Sequence, residues 1–229
     1  MFKGKEIIAR DLAMPKQSRK ASAKISFQGE FISVQPRIRL LRSFDQRSHS
    51  YLGYALLIRG SLGQEQRDFS VGIGKAVQSR HGFQVGDQIS GQAAFVQDQR
   101  MEPVELYKAS GLQVLKRPGI HVEVPPPWQG QPPDLETYRE RGHRRLDKKT
   151  YNAKCLSCIW GCLMPVEMII DQWSPGKKSF RFETFCYGPK SCSLYSAGPV
   201  RTVPGRKGMK WHEEDWVDED ATSHRGPDD

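Results

Sequence analysis

The sequence predicts a mainly β protein with two folded modules, and three of its features lead to that prediction. Apolar and polar residues alternate over much of residues 24–117, which is typical of strands with one face in a core. Five prolines then fall within residues 122–134 and indicate a semi-rigid connector. All five cysteines follow in two groups, residues 155–162 and 186–192. We therefore expect a β-rich N-terminal half and a smaller cysteine-rich C-terminal half.

The strands and one helix follow from the local patterns of the first half. Residues 1–21 are basic and weakly patterned, and we expect a flexible arm there. Alternation predicts strands in ISFQGEFISVQPRIRLLRSF, YLGYALLIRG, RDFSVGIG, VGDQISGQAAFV and ELYKASGLQVLKR, while KAVQSRHGF loses the two-residue period as a short helix does. The apolar positions of the first strand change face near Gly29, which predicts a bulge or bend at that glycine.

The order of strand, strand, strand, helix, strand, strand resembles the OB-fold, a five-stranded barrel with a helix between its third and fourth strands. The resemblance covers about residues 22–117 and rests on element order, and another small Greek-key barrel has much the same pattern. It implies an oligonucleotide-binding face that includes the loop after the first strand. The candidate nucleic-acid-binding residues of this half are Arg37, Arg39, Arg42, Arg47 and Tyr51.

Residues 118–133 are expected to link this barrel to a second module at residues 134–198. Asp134 is a suitable N-cap for a helix in LETYRERGHRRLDKK, although Gly142 weakens that helix by about 1 kcal/mol relative to alanine. The helix would present a second basic surface beside the cysteines. Its candidate nucleic-acid-binding residues are Arg141, Arg144, Arg145, Lys148 and Lys149.

The cysteine spacing predicts a metal site. Cys-x2-Cys-x3-Cys is followed after 23 residues by Cys-x5-Cys, and pairs of thiols from two distant turns can enclose one tetrahedral Zn²⁺. MPVEMIIDQW and SFRFETFCY both have the pattern of strands, so a hairpin joins the two groups and the segment resembles a zinc ribbon, with x5 in place of the usual x2 in the second pair. The expected ligands are Cys155, Cys158, Cys186 and Cys192.

Two alternatives to that site stay open. Cys162 can join Cys155 and Cys158 with one of the two later cysteines. Three thiols within eight residues can also bind a [4Fe–4S] cluster, which needs four cysteine ligands. The odd number of cysteines fits a disulfide framework poorly, and we expect reduced thiols.

Charge and composition favour a cytoplasmic protein that binds a polyanion. The net charge is +9, but residues 1–210 carry 34 basic and 18 acidic residues, whereas eight acidic residues and one arginine follow from Trp211 onward. A basic body with an acidic end is typical of nucleic-acid-binding proteins. No stretch approaches the roughly 18 apolar residues of a membrane span, and the first residues lack the apolar core of a signal peptide.

The sequence therefore predicts a non-enzymatic, zinc-containing protein that binds RNA or single-stranded DNA. The combination resembles bacterial metal-binding proteins that join an OB-like barrel to a cysteine-rich zinc ribbon. VGIGK at residues 71–75 lacks the serine or threonine that a phosphate-binding loop needs after its lysine. One alternative is a protein–protein adaptor that uses a tail at residues 199–229, with Trp211 and Trp216, as a recognition segment. The other is an iron–sulfur protein with an accessory enzymatic role.

Overall fold

The computed structural model of the chain describes residues 23–43, 47–118 and 126–229. The predicted flexible arm at residues 1–21 lies outside the described residues, as do residues 119–125 of the predicted linker. Within the described part of the chain, no helix is long and apolar enough to cross a membrane.

Five strands of the N-terminal half form a closed ring. They are β1 (Lys24–Arg42), β2 (Arg47–Leu62), β3 (Glu65–Ile73), β4 (Gln88–Phe95) and β5 (Leu106–Lys116), and α1 (Lys75–His81) stands between β3 and β4. The antiparallel pairs are β1–β2, β2–β3, β5–β4 and β4–β1, and a parallel contact between β3 and β5 completes the ring. The prediction of a mainly β chain with a short helix after the third strand is confirmed.

The ring is filled by the apolar residues that alternate along its strands. Phe27 and Phe69 pack edge to face with their ring centroids 5.8 Å apart, and Phe31 packs in the same manner on Phe83, which follows α1. These four side chains are buried. Each contributes about 1.5–3 kcal/mol by leaving water, and Phe83 fixes α1 beneath the ring.

The irregularity of β1 lies slightly beyond the predicted position. The register with β2 shifts between Phe31 and Ser33, so Ile32 is the inserted residue and Phe31 lies in the core. Gly29 has a different role from the bend predicted there. A Cβ atom at Gly29 would lie 2.4 Å from the carbonyl oxygen of Arg59, so glycine permits the close approach of β1 and β2.

The C-terminal half extends the same sheet. Its strands are β6 (Arg144–Arg145), β7 (Gly161–Ile169) and β8 (Lys178–Cys186). The end of β1 pairs in parallel with β7, β7 pairs with β8 as the predicted hairpin, and β6 pairs with β8. An eight-stranded sheet in the order β2-β3-β5-β4-β1-β7-β8-β6 therefore joins the two predicted modules, and residues of both halves share one core.

The predicted long basic helix is wrong beyond Arg141. Helix α2 (Leu135–Arg141) ends at Gly142, and a second helix, α3 (Lys148–Thr150), leads into a π-helical turn at Tyr151–Cys155. Gly142 has a φ of +67°, and a Cβ there would lie 2.1 Å from the carbonyl oxygen of Ala221. The close contact with the C-terminal segment requires glycine and turns the chain into β6.

Residues 199–229 are structured, in contrast to the predicted tail. They form a hairpin of β9 (Arg201–Pro204) and β10 (Lys210–Glu213), followed by helix α4 (Trp216–Thr222). Trp211 and Trp216, the tryptophans of the predicted recognition segment, are half-buried and 60% exposed respectively. The buried side chains of this segment are those of Val203, Glu213, Val217, Thr222 and Arg225. Ion pairs attach this segment to the rest of the protein. Because the segment has no apolar periodicity, the sequence did not predict these contacts.

Candidate metal centre and nucleic-acid interface

The first two cysteines lie in one tight turn, and a strand pair brings the fourth beside it. The backbone N–H of Cys158 donates to the carbonyl oxygen of Cys155 at 3.1 Å, and Gly161 N–H donates to Cys158 O at 3.1 Å. Gly161 begins β7 and is the register partner of Cys186 at the end of β8. Cys155, Cys158 and Cys186 consequently form one buried cluster.

Cys162 belongs to a different part of the core from this cluster, and Cys192 is only half-buried. Cys192 lies in a turn in which its N–H donates to Pro189 O at 3.2 Å, and it adds to the raised pKa values of Cys155 and Cys186. Cys162 is fully buried in the main core, and its Sγ donates to the carbonyl oxygen of Pro36 at 3.5 Å.

Burial keeps these thiols protonated. It raises the pKa of Cys155 to about 11 and that of Cys158 to about 12, and it raises the pKa of Cys186 as well. Backbone N–H groups act in the opposite direction. Gly188 N–H donates to Cys186 Sγ at 3.4 Å, and the N–H groups of Trp160 and Trp128 favour the thiolate of Cys158. Such N–H donors stabilise sulfur that carries negative charge.

Among the described residues, no group of three or more His, Cys, Asp or Glu side chains is arranged to hold a metal ion. The donor chemistry nevertheless fits Zn²⁺, because thiolates are preferred zinc ligands and four thiols complete a structural site. Neutral thiols do not attract one another. A bound cation would therefore be needed to bring the four sulfur atoms around one point. The described residues thus include candidate thiol ligands and N–H donors but no closed cage.

Comparisons of the chain with protein-family models, curated proteins and solved structures find no match. The functional interpretation therefore depends on the geometry of this chain's own residues.

A residue of β1 holds the Cys155–Cys158 turn. Gln35 is buried, and its Nε2 donates to the carbonyl oxygens of Cys155, Leu156 and Cys158 at 2.9, 3.1 and 2.9 Å. The hydroxyl of Tyr151 donates to Gln35 Oε1 at 2.7 Å and fixes the amide. Sequence reasoning missed Gln35. In the sequence, the only indication of this role is that Gln35 is a polar residue in the middle of the long strand β1.

Arg144 supports the second cysteine turn. It pairs with Cys186 across β6 and β8, and its guanidinium stacks 3.9 Å from the ring centroid of Tyr195. Its Nη2 donates to Pro189 O at 2.8 Å, in the turn that carries Cys192. The residue predicted for nucleic acid thus contacts the cysteine cluster.

The predicted basic residues of β1 are paired within the protein. Arg37 Nη1 lies 3.1 Å from Glu102 Oε2, and Arg39 Nη2 lies 2.8 Å from Glu102 Oε1. Both pairs attach the loop between β4 and β5 to the strand. Tyr51 is half-buried against the core, with the guanidinium of Arg139 4.9 Å from its ring centroid.

The acidic C-terminal segment pairs with further predicted arginines. The side chain of Arg42 is only 2% exposed, and its Nη2 lies 2.7 Å from Glu213 Oε2, while Arg47 Nη1 lies 2.9 Å from Glu213 Oε1. Arg145 is equally buried and binds Asp215 and Asp218. These guanidiniums serve the fold and are not exposed as a uniform basic surface.

The remaining predicted residues differ in exposure. Arg141 Nε donates to Tyr187 O at 2.7 Å, and its guanidinium lies 4.4 Å from the ring centroid of Trp160. Lys148 and Lys149 are exposed at the start of α3. Of the ten predicted nucleic-acid-binding residues, Arg47, Lys148 and Lys149 are exposed, and Arg47 also pairs with Glu213.

A second surface combines exposed aromatic and basic side chains, and the sequence analysis did not select it. Lys178, Phe180 and Phe182 alternate along β8 and therefore share one face. Arg100, from the loop between β4 and β5, stacks 4.6 Å from the Phe180 ring centroid. Trp173, in the loop between β7 and β8, is 83% exposed. We call these five residues the hairpin face. In the sequence, the segment KKSFRF, which combines basic and aromatic residues, is the indication of this face.

Proposed function

We propose that the protein binds single-stranded RNA or DNA without catalysing a reaction on it. The observation that carries the proposal is the hairpin face, where the exposed ring of Phe182 and the partly exposed ring of Phe180 lie along one strand. Two cations stand beside these rings: Lys178, which also pairs with Glu167, and Arg100, which also pairs with Asp98. Bases of a single strand stack on such rings, and cations beside them pair with the phosphates. Phe182 is 39% exposed, and Trp173 is largely exposed, so both rings are accessible to a base.

The pairing order of the ring supports the same function. A five-stranded ring closed in the order β1-β2-β3-β5-β4, with a helix between β3 and β4, is the arrangement of the OB-fold, whose loops β1–β2 and β4–β5 flank the ligand. In this chain the β4–β5 loop carries Arg100 and contacts the β7–β8 hairpin. This support is an analogy at the level of the fold.

A structural Zn²⁺ is the second part of the proposal. Cys155, Cys158, Cys186 and Cys192 would hold it, in the manner of a zinc ribbon built on the β7–β8 hairpin. A bound ion would offset part of the negative charge of four thiolates and would tie two distant turns together. An iron–sulfur cluster on all three thiols of residues 155–162 is disfavoured, because Cys162 lies in the main core.

Fluorescence anisotropy with a labelled single-stranded oligonucleotide tests the binding function. We expect affinity to fall steeply between 50 and 200 mM salt, as counterion release requires (about 0.7 log units per log unit of salt for each phosphate contact). Phe182→Ala should weaken binding by about 5-fold or more through lost stacking.

Phe95→Ala is the matched control, since Phe95 is 48% exposed on β4, outside the hairpin face. Its affinity should equal that of the wild type. Absence of binding at 50 mM salt, with the protein folded and its metal retained, would refute the proposed function.

A further inference from the structure

A cavity of about 570 Å³ lies between the connector, the start of the β7 segment and the C-terminal residues, apart from the hairpin face. Two indole rings, three side-chain amides and one guanidinium contribute to its wall: Trp128, Trp160, Gln84, Gln129, Gln131 and Arg141. The cavity combines broad apolar surfaces with groups that both donate and accept hydrogen bonds. This composition is typical of a site for a flat, polar-edged ligand.

The two indoles are held in place before any ligand arrives. The N–H of Ile159 donates to Trp128 O at 2.9 Å, which ties the connector to the cysteine turn. Tyr138 packs edge to face on Trp160 with centroids 5.6 Å apart. A Cβ at Gly188 would lie 3.2 Å from Trp160 Cβ, so glycine gives the indole room. A wall fixed in this way loses little entropy on binding.

Arg141 leaves a donor directed at no protein group. Its Nε is used by Tyr187 O, but within the described part of the chain its buried Nη2 has no hydrogen-bond partner. This nitrogen is covered by protein atoms and does not open into the cavity, so the polar groups that a ligand meets there are the side-chain amides and the carboxylates of Asp228 and Asp229.

The charges of the cavity exclude a phosphate as the occupant. Asp228 and Asp229 also line it, and their carboxylates repel anions while accepting N–H groups. The wall therefore favours an occupant that brings no negative charge into the cavity and offers both N–H donors and acceptors.

We propose that this cavity receives one unstacked nucleobase of the bound single strand, with a preference for guanine. The proposal rests on the proposed function and adds a base-reading site to it. A guanine offers its ring N–H and amino group to a carboxylate and its O6 and N7 to a side-chain amide of the wall. The indole of Trp128 stacks on its π-face, because the guanidinium of Arg141 already lies 4.4 Å from the ring centroid of Trp160.

A short DNA backbone of abasic units, with and without a single guanine, tests the proposal because the two probes carry equal charge. We expect the guanine to tighten binding between about 5-fold and about 150-fold, the range of one stacked base. An ordinary oligonucleotide that binds, together with equal affinity for the two abasic probes, would overturn the cavity site and leave the proposed function intact. Failure of the ordinary oligonucleotide would overturn the function, and the cavity site with it.

Trp128→Ala should abolish the gain from the guanine and leave binding of the fully abasic probe unchanged. Trp216→Ala is the matched control, because Trp216 is exposed at the start of α4 and should preserve the gain. Equal weakening of both probes by Trp128→Ala would assign Trp128 a structural role and refute the site. The comparison between probes keeps the test valid even where the variant loses stability.

Discussion

The side-chain amide of Gln35 donates to the carbonyl oxygen of Cys158 over 2.9 Å, although the two residues lie 123 positions apart. The same nitrogen also contacts Cys155 O and Leu156 O. One amide from the ring therefore fixes the backbone of the turn that carries two candidate metal ligands. The two halves of the chain are coupled at the Cys155–Cys158 turn, and the ring contributes to the stability of that turn.

Gln35→Leu should reduce the free energy of unfolding by about 2–4 kcal/mol, because it removes the buried amide that donates to the turn and leaves the buried hydroxyl of Tyr151 without its acceptor. It should also weaken zinc binding, since the turn loses its support. Urea unfolding and competition with a chelator measure the two effects. Gln66→Leu, at an exposed position of β3, should change stability by less than about 0.5 kcal/mol. Equal effects of the two substitutions would contradict this role of Gln35.

Glu213→Gln should cost about 3–5 kcal/mol, because it leaves the buried guanidinium of Arg42 without its counter-charge. The neighbouring Glu214 is exposed, so Glu214→Gln provides a control of identical chemistry and should change stability by about 0.5 kcal/mol or less. Denaturant unfolding of the two variants checks the prediction. A Glu213→Gln protein as stable as the control would show that this pair does not anchor the C-terminal segment.

Stability should rise with pH between about 4 and 6.5. Burial, with Arg47 and Arg42 nearby, lowers the pKa of His49 to about 4 against an opposing effect of Glu213, and burial also lowers the pKa of His143 well below its ordinary value. At these two histidines the unfolded chain binds more protons than the folded chain in this interval, so their protonation favours unfolding in acid, against a smaller opposite contribution from Asp87 and Asp218, whose pKa values burial raises. His49 alone accounts for about 3 kcal/mol.

Unfolding in urea at several pH values, with a chelator present so that zinc loss makes no contribution, measures this dependence. His49→Gln should flatten it. A slope of the wild type that is zero between pH 4 and 6.5 would be inconsistent with two buried neutral histidines.

Zinc uptake should release protons. At pH 7 the thiols of Cys155 and Cys158 are neutral because burial raises their pKa values to about 11 and about 12. Zinc binds thiolates, so each ion should displace at least two protons, and affinity should fall as the pH is lowered. Isothermal titration in two buffers of different ionisation enthalpy counts the protons. Release of fewer than two would mean that one of these cysteines is not a ligand.

The sequence predicted those elements that have local causes. The strands of the ring follow from alternation, and the grouping of Cys155, Cys158 and Cys186 follows from spacing and a hairpin. The fate of the arginines was not predictable in this way. From its position beside a loop, Arg42 is expected to be an exposed cation. It is instead buried against Glu213, which lies in a segment without periodicity. Gly142 by itself should weaken a helix only slightly. Helix α2 nevertheless ends there, because the backbone at Gly142 lies in close contact with Ala221.

Native mass spectrometry of the intact purified protein tests the central claim about the metal centre most directly. We expect one Zn²⁺ per chain in the wild-type protein. The ion should be absent from Cys186→Ser and retained in Cys162→Ala. A metal-free protein, an iron–sulfur mass, or equal loss of zinc in Cys162→Ala would contradict it.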